Sequence, residues 1–133
     1  MENNTKLFSP ITIRGVTIPN RIVLSPLCMY SANDGVASDW QFAHLSTFAR
    51  ARTGLIFAEA SAVEARGRIT PGCLGIWTDE QAEALKPITS FIERMGCIPG
   101  FQLGVEILDF SRALAPMFKR SRIDTVLEDV LLR

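Results

Sequence analysis

Two continuous apolar runs, Ile22-Val-Leu and Leu55-Ile-Phe-Ala, and a third strand-like segment from Ile98 to Leu103 constrain this chain more than any other feature. Runs without strict polar alternation suit strands covered on both faces, as in parallel sheets. Helix signals fill the gaps between them. Ser38 and Gln41 form a capping box, and Asp39 suits the positive end of the helix that follows. Phe42, Leu45, Phe48 and Ala49 then share one helical face, and Gly54 stands where that helix would stop. Thr78 and Gln81 repeat the capping box ahead of Ala84, Leu85, Ile88, Phe91 and Ile92, and Gly96 closes that unit. Pro87 interrupts the second pattern, so either the helix kinks there or another begins.

Strand, helix, strand, helix, strand at intervals of about 30 to 45 residues describes βαβ units on a parallel sheet, an α/β fold. Ile11-Thr-Ile and Val16-Thr-Ile around Arg14-Gly15 add an N-terminal hairpin, and Glu64 to Trp77 reads as a long loop. The second apolar run ends at Glu59-Ala60-Ser61, where polarity returns. Ligands of such sheets sit beyond the carboxyl ends of the strands. Ser25 to Tyr30, Glu59 to Ser61 and Gln102 are therefore expected at one rim.

Composition removes several function classes. The 133 residues carry 14 basic and 14 acidic side chains, so no general field draws the chain to nucleic acid or to acidic lipid. The one basic cluster, Lys119-Arg-Ser-Arg, reads as a solvated loop. No uncharged stretch approaches the roughly 18 residues of a membrane span, and no leader is visible, so a cytoplasmic protein without membrane association is expected. Three cysteines without a C-x-x-C pair suit reduced thiols, and a single histidine, His44, argues against a catalytic zinc site; no metal is expected.

Each rim residue admits an ordinary reading and a chemical one. Cys28 is either a buried thiol or a group placed to act at the strand exit. Tyr30 is either a core aromatic or the wall of a pocket. Gln102, a carboxamide in an otherwise apolar strand, needs partners for both donor and acceptor, because burying them unpaired costs about 1–3 kcal/mol. A planar ring with adjacent N–H and C=O groups would satisfy both at once. His44 and Trp77 read as structural.

Leu7-Phe-Ser-Pro-Ile, Pro19-Asn-Arg-Ile-Val-Leu-Ser-Pro-Leu-Cys-Met-Tyr-Ser, Glu59-Ala-Ser-Ala-Val, Gly67-Arg-Ile-Thr, Leu74-Gly-Ile-Trp and Gly100-Phe-Gln-Leu together resemble the old yellow enzyme family. Those proteins are FMN-dependent NAD(P)H oxidoreductases, and Cys28-Met29-Tyr30 is similar to their cysteine-containing subgroup. The resemblance spans about residues 6–104 and implies the opening part of a TIM-type barrel: a hairpin, then about three βα units. It implies flavin contacts from Pro26, Leu27 and Ala60, pairing of Gln102 with the pyrimidine edge, and adjustment of flavin reactivity by Cys28. Tyr30 would line the pocket of an enone-type substrate. Cys28 and Tyr30 are thus the implied catalytic residues, and FMN and NAD(P)H the implied cofactors.

From Val105 onward the motifs cease, and residues 105–133 read as a separate, helical tail. The histidines that grip the substrate in the family are absent from this sequence, so a truncated chain with little activity alone is expected. The alternative is a non-catalytic fragment whose open sheet edges lead it to self-associate or to pair with a barrel partner.

Overall fold

The structure, a computed structural model, describes residues 5–104. The expected tail, 105–133, lies outside the described residues. After a single turn of 3-10 helix at Lys6–Phe8, β1 (Ile11–Ile13) and β2 (Val16–Ile18) form the expected hairpin, with Ile11 opposite Ile18. Arg14 and Gly15 both have positive φ, 48° and 86°, as a two-residue turn matched to strand twist demands.

The main sheet is parallel. β4 (Leu55–Ala62) lies at its centre, and β6 (Ile98–Gly104) pairs along one edge of it. The opposite edge takes β3 (Val23–Leu24) at the start of β4 and β5 (Leu74–Gly75) at its end. Helices α1 (Asp39–Arg50) and α2 (Asp79–Arg94) connect the strands and pack on one face. Leu45 and Ala49 of α1 and Leu85, Ile88 and Ile92 of α2 bury themselves with Ile56, Ala58, Leu74 and Cys97. Each large aliphatic side chain so buried contributes about 1.5–3 kcal/mol. This is the α/β architecture that the spacing predicts.

Three local expectations need correction, and the alternative left open at Pro87 is resolved. Ile22 and Val23 are exposed rather than fully buried, because the two helices cover other parts of the sheet. β4 does not end at Glu59; it runs on to Ala62, with Glu59 and Ser61 buried inside it. α1 stops before Gly54: Ala51 caps it, and Arg52 takes the left-handed conformation at φ 57°. Gly54 instead opens β4, where its missing side chain makes room for the backbone oxygen of Asn20. α2 continues through Pro87 without a second start. Pro87 and Glu83, whose carbonyl loses its partner, are both exposed, so water can satisfy the freed group.

Candidate functional site

Because β3, β4 and β6 run parallel, the carboxyl ends of β4 and β6 share one end of the sheet, and the loop leaving β3 beside Ile56 leads toward it, Met29 reaching Glu59. The register sets Ala60 opposite Gln102, Ser61 opposite Leu103 and Ala62 opposite Gly104. The pairing slips between Ala58 and Ala60, leaving Glu59 as an extra residue in a β-bulge. Strict alternation would put Ala60 on the helix-covered side with Ile56 and Ala58. The bulge reverses that parity. Ala60 and Ala62 now line a shallow open depression on the other face, together with Gly67, Arg68, Ile69, Cys73 and Gly104.

Glu59 itself stays on the helix side, 2% exposed. Its Oε1 accepts from Gln41 Nε2 of α1 at 3.3 Å, and its Oε2 accepts from the backbone N–H of Met29 at 3.1 Å. Gln41 is also the N3 residue of the capping box, its Oε1 accepting from the Ser38 backbone N–H at 2.9 Å. The Ser38 hydroxyl lies 2.7 Å from Gln41 Oε1 and 3.1 Å from the carbonyl of Ser31, either of which can take its one proton. Ser31 Oγ donates to the carbonyl of Met29 at 2.9 Å. A closed circuit of polar groups thus joins the start of α1, the bulge and the loop that carries Cys28 and Tyr30.

A second circuit repeats the device. Gln81, buried at N3 of α2, accepts from the backbone N–H groups of Trp77 and Thr78 and donates to the Asp34 carbonyl at 3.1 Å. The Asp34 carboxylate holds Arg68 at 2.8 Å, and the Arg68 guanidinium lies 5.2 Å from the centre of the Trp77 ring. Trp77 therefore packs within the loops, as its structural reading expects.

Tyr30 sits at φ 53°, a conformation uncommon for a bulky side chain and costly by about 1–3 kcal/mol. Gly72 lies directly against the Tyr30 backbone, and its carbonyl accepts from Ala32 N–H at 2.9 Å, clamping the strained turn. The Tyr30 phenol is held above its ordinary pKa, first by the charge of Cys28, then by partial desolvation, then by Cys73 and Glu59. Folded Tyr30 therefore keeps its proton where unfolded Tyr30 has lost it. Stability is complete below the ordinary tyrosine range and falls as pH rises through it. Tyr30 is the chain's single tyrosine, so an ultraviolet titration reads it directly. Its midpoint should lie above that of the unfolded chain and drop in Cys28→Ser; an unchanged midpoint in the variant would contradict the Cys28 attribution.

The structure thus brings Cys28 and Tyr30 into one loop beside the bulge and sets Ala60 beside Gln102. Pro26 and Cys28 are half-buried, Leu27 and Tyr30 exposed. Cys28 is not the buried thiol of its ordinary reading, and Tyr30 is not a core aromatic. Gln102 is exposed and makes no side-chain hydrogen bond to another described residue, because the second half of β6 is uncovered there. His44 rests edge-on against Phe48, ring centres 5.1 Å apart. Sequence reading missed the roles of Glu59 and Gln41. The available signal was a lone carboxylate inside an apolar strand followed by three small residues, which suits a bulge and its partner.

Comparison with known proteins turns this geometry into an assignment. A model of the NADH:flavin oxidoreductase / NADH oxidase family matches residues 6–114. An NADH:flavin oxidoreductase of Gibberella zeae is 52% identical over 100 residues, covering 75% of this chain and 24% of its own length. An NADPH dehydrogenase of a Geobacillus species is 50% identical over 101 residues, covering 74% and 30%. Among solved structures, the Old Yellow Enzyme of a Pichia species superposes with TM-score 0.71 at 28% identity, over 77% of this chain and 27% of that one. A variant of the NCR protein of Zymomonas mobilis superposes at 0.67 with 35% identity, over 74% and 32%. The chain therefore spans about a quarter to a third of the length of the relatives it matches, and its parallel sheet and helices correspond to part of their barrel. No helix among the described residues is long and apolar enough to cross a membrane. The match across most of the sequence, on a fold that the solved relatives share, establishes that this chain belongs to the NADH:flavin oxidoreductase / NADH oxidase family.

Proposed function

We propose that this chain supplies the ring-binding face of an FMN-dependent NAD(P)H oxidoreductase of the old yellow enzyme type. When bound, FMN would accept hydride from NAD(P)H and deliver it to an activated alkene. The observation that carries the reading is the register of Ala60 against Gln102 at the carboxyl ends, with the Cys28–Tyr30 loop tied to the adjacent bulge. The groups present fit a flat heteroaromatic ring. Ala60, Ala62 and Gly104 offer a wall of methyl groups and bare backbone, which a planar guest can approach closely. The Gln102 carboxamide, whose donor and acceptor have no side-chain hydrogen-bond partner among the described residues, can pair in bidentate fashion with adjacent C=O and N–H groups. Pro26 and Leu27 would border the ring from the loop, Cys28 would offer it a weak donor, and Tyr30 would line the space for an enone-type substrate.

Titration of FMN with the purified chain, followed by quenching of flavin fluorescence, tests the proposal. Saturable quenching is expected. Gln102→Ala should weaken it roughly tenfold, the loss of about 1.4 kcal/mol of paired hydrogen bonding. Absence of quenching at any protein concentration would refute ring binding. Ene reduction by the 133-residue chain itself is expected to be weak, since its single histidine lies on α1 against Phe48 and cannot provide the paired grip on a substrate carbonyl.

A further inference from the structure

We infer that Glu59 is a positioning residue for the Cys28–Tyr30 loop, acting as a double acceptor that fixes the loop to the sheet and to the start of α1. The inference deepens the proposed function and rests on it for its consequence, but its geometry stands in the chain itself. Both neighbours of the carboxylate are donors: the Met29 backbone N–H at 3.1 Å and Gln41 Nε2 at 3.3 Å. The orientation of the Gln41 amide is set independently, because its oxygen already receives the Ser38 N–H. Gln41 must therefore offer its amino group to Glu59. The two donors reach different oxygens of the one carboxylate, Met29 at Oε2 and Gln41 at Oε1, so both terminal atoms of the side chain must be acceptors. Aspartate is one methylene shorter, and an amide would turn its amino group toward one of the two donors.

The bulge gives this arrangement its purpose. It turns Glu59 to the helix side, beneath the loop, while turning Ala60 to the depression one residue later. One irregularity thus decides which face each takes, the helix side for the anchor and the depression for the wall of the site. The Met29 N–H that Glu59 accepts belongs to the residue between Cys28 and Tyr30, so releasing it frees both side chains from their places at the rim.

Polarity exchange tests the inference. In Glu59→Gln the new amide can accept from Met29, but its amino group then faces the amino group of Gln41. Site-resolved alkylation of Cys28 by iodoacetamide in the full chain, read by mass spectrometry, is expected to accelerate at least fivefold. Adding Gln41→Glu restores complementarity: the new carboxylate accepts from Ser38 and from the amide introduced at position 59, and the capping box accepts glutamate at N3 as it does glutamine. The double variant is expected to return within twofold of the native rate. An unchanged rate in Glu59→Gln, or acceleration that the second substitution leaves in place, would overturn the inference. Should the single variant fail to fold, the double variant decides: a native-like Cys28 rate supports the assignment, and a rate more than fivefold above native, or failure to fold, refutes it. FMN titration of the same variants should follow the alkylation order. A chain that binds no FMN in any form would sink the proposed function while the alkylation rates still judge Glu59.

Discussion

Gly54→Ala is expected to destabilise the protein by about 3 kcal/mol, a large share of the roughly 5–15 kcal/mol that holds a domain of this size together. A methyl group at Gly54 would collide with the backbone oxygen of Asn20 and lie 2.8 Å from its side-chain oxygen. Neither can withdraw easily. Asn20 Nδ2 donates to the Arg52 carbonyl at 2.9 Å, and its Oδ1 accepts from the N–H groups of both Ile22 and Gly54 at 3.1 Å. The Gly54 carbonyl meanwhile accepts from Ile98 N–H at 2.9 Å. Three strands therefore start from one knot of backbone contacts, and relief of the clash must break part of it. Gly15→Ala is the control, for Gly15 has no atom within 4 Å of an added methyl and only its positive φ to oppose it, a cost near 1 kcal/mol. Denaturant unfolding of the two variants should separate them by about 2 kcal/mol. Equal losses would show that the Asn20 contact is dispensable.

Gly72→Ala should have the largest effect on the site. The added methyl would overlap the Tyr30 carbonyl, with the Tyr30 Cα at 3.2 Å, and would press on a residue already in the left-handed region. The turn has little freedom to yield, since Met29 is bound to Glu59 on one side and Ala32 to Gly72 on the other. Displacement of the loop is the expected outcome. FMN affinity should fall more than tenfold, and the Tyr30 titration should move back toward the ordinary tyrosine value as Cys28 and Cys73 separate from the phenol. Native FMN affinity together with an unmoved Tyr30 midpoint would show that the clamp is not needed.

Much of this fold is legible in the sequence because its signals are local. The hairpin rests on Arg14-Gly15, both helix starts on a hydroxyl and a glutamine three residues apart, and the close of α2 on Gly96. Partners distant in sequence are what the reading missed. Glu59 looks like a strand end until Gln41, 18 residues before it, and Met29, 30 residues before it, arrive to satisfy it. Gly54 resembles a helix stop because its actual neighbour, Asn20, lies 34 positions away. Pro87 resembles an interruption because exposure, which permits its lost hydrogen bond, is not visible in a residue string. The parity change that gives Glu59 the helix side and Ala60 the depression is marked in the sequence only by a lone carboxylate before three small residues, and its partners lie far along the chain.

Gln41 and Gln81 each hold two offices, capping a helix and tethering a loop across the mouth. Secondary structure and ligand geometry consequently share the same atoms, so a substitution at either glutamine is felt twice. Engineering the proposed ring site would do best to vary its wall at Ala60 and leave both amides alone, since a change at either glutamine would also unravel the first turn of the helix behind it.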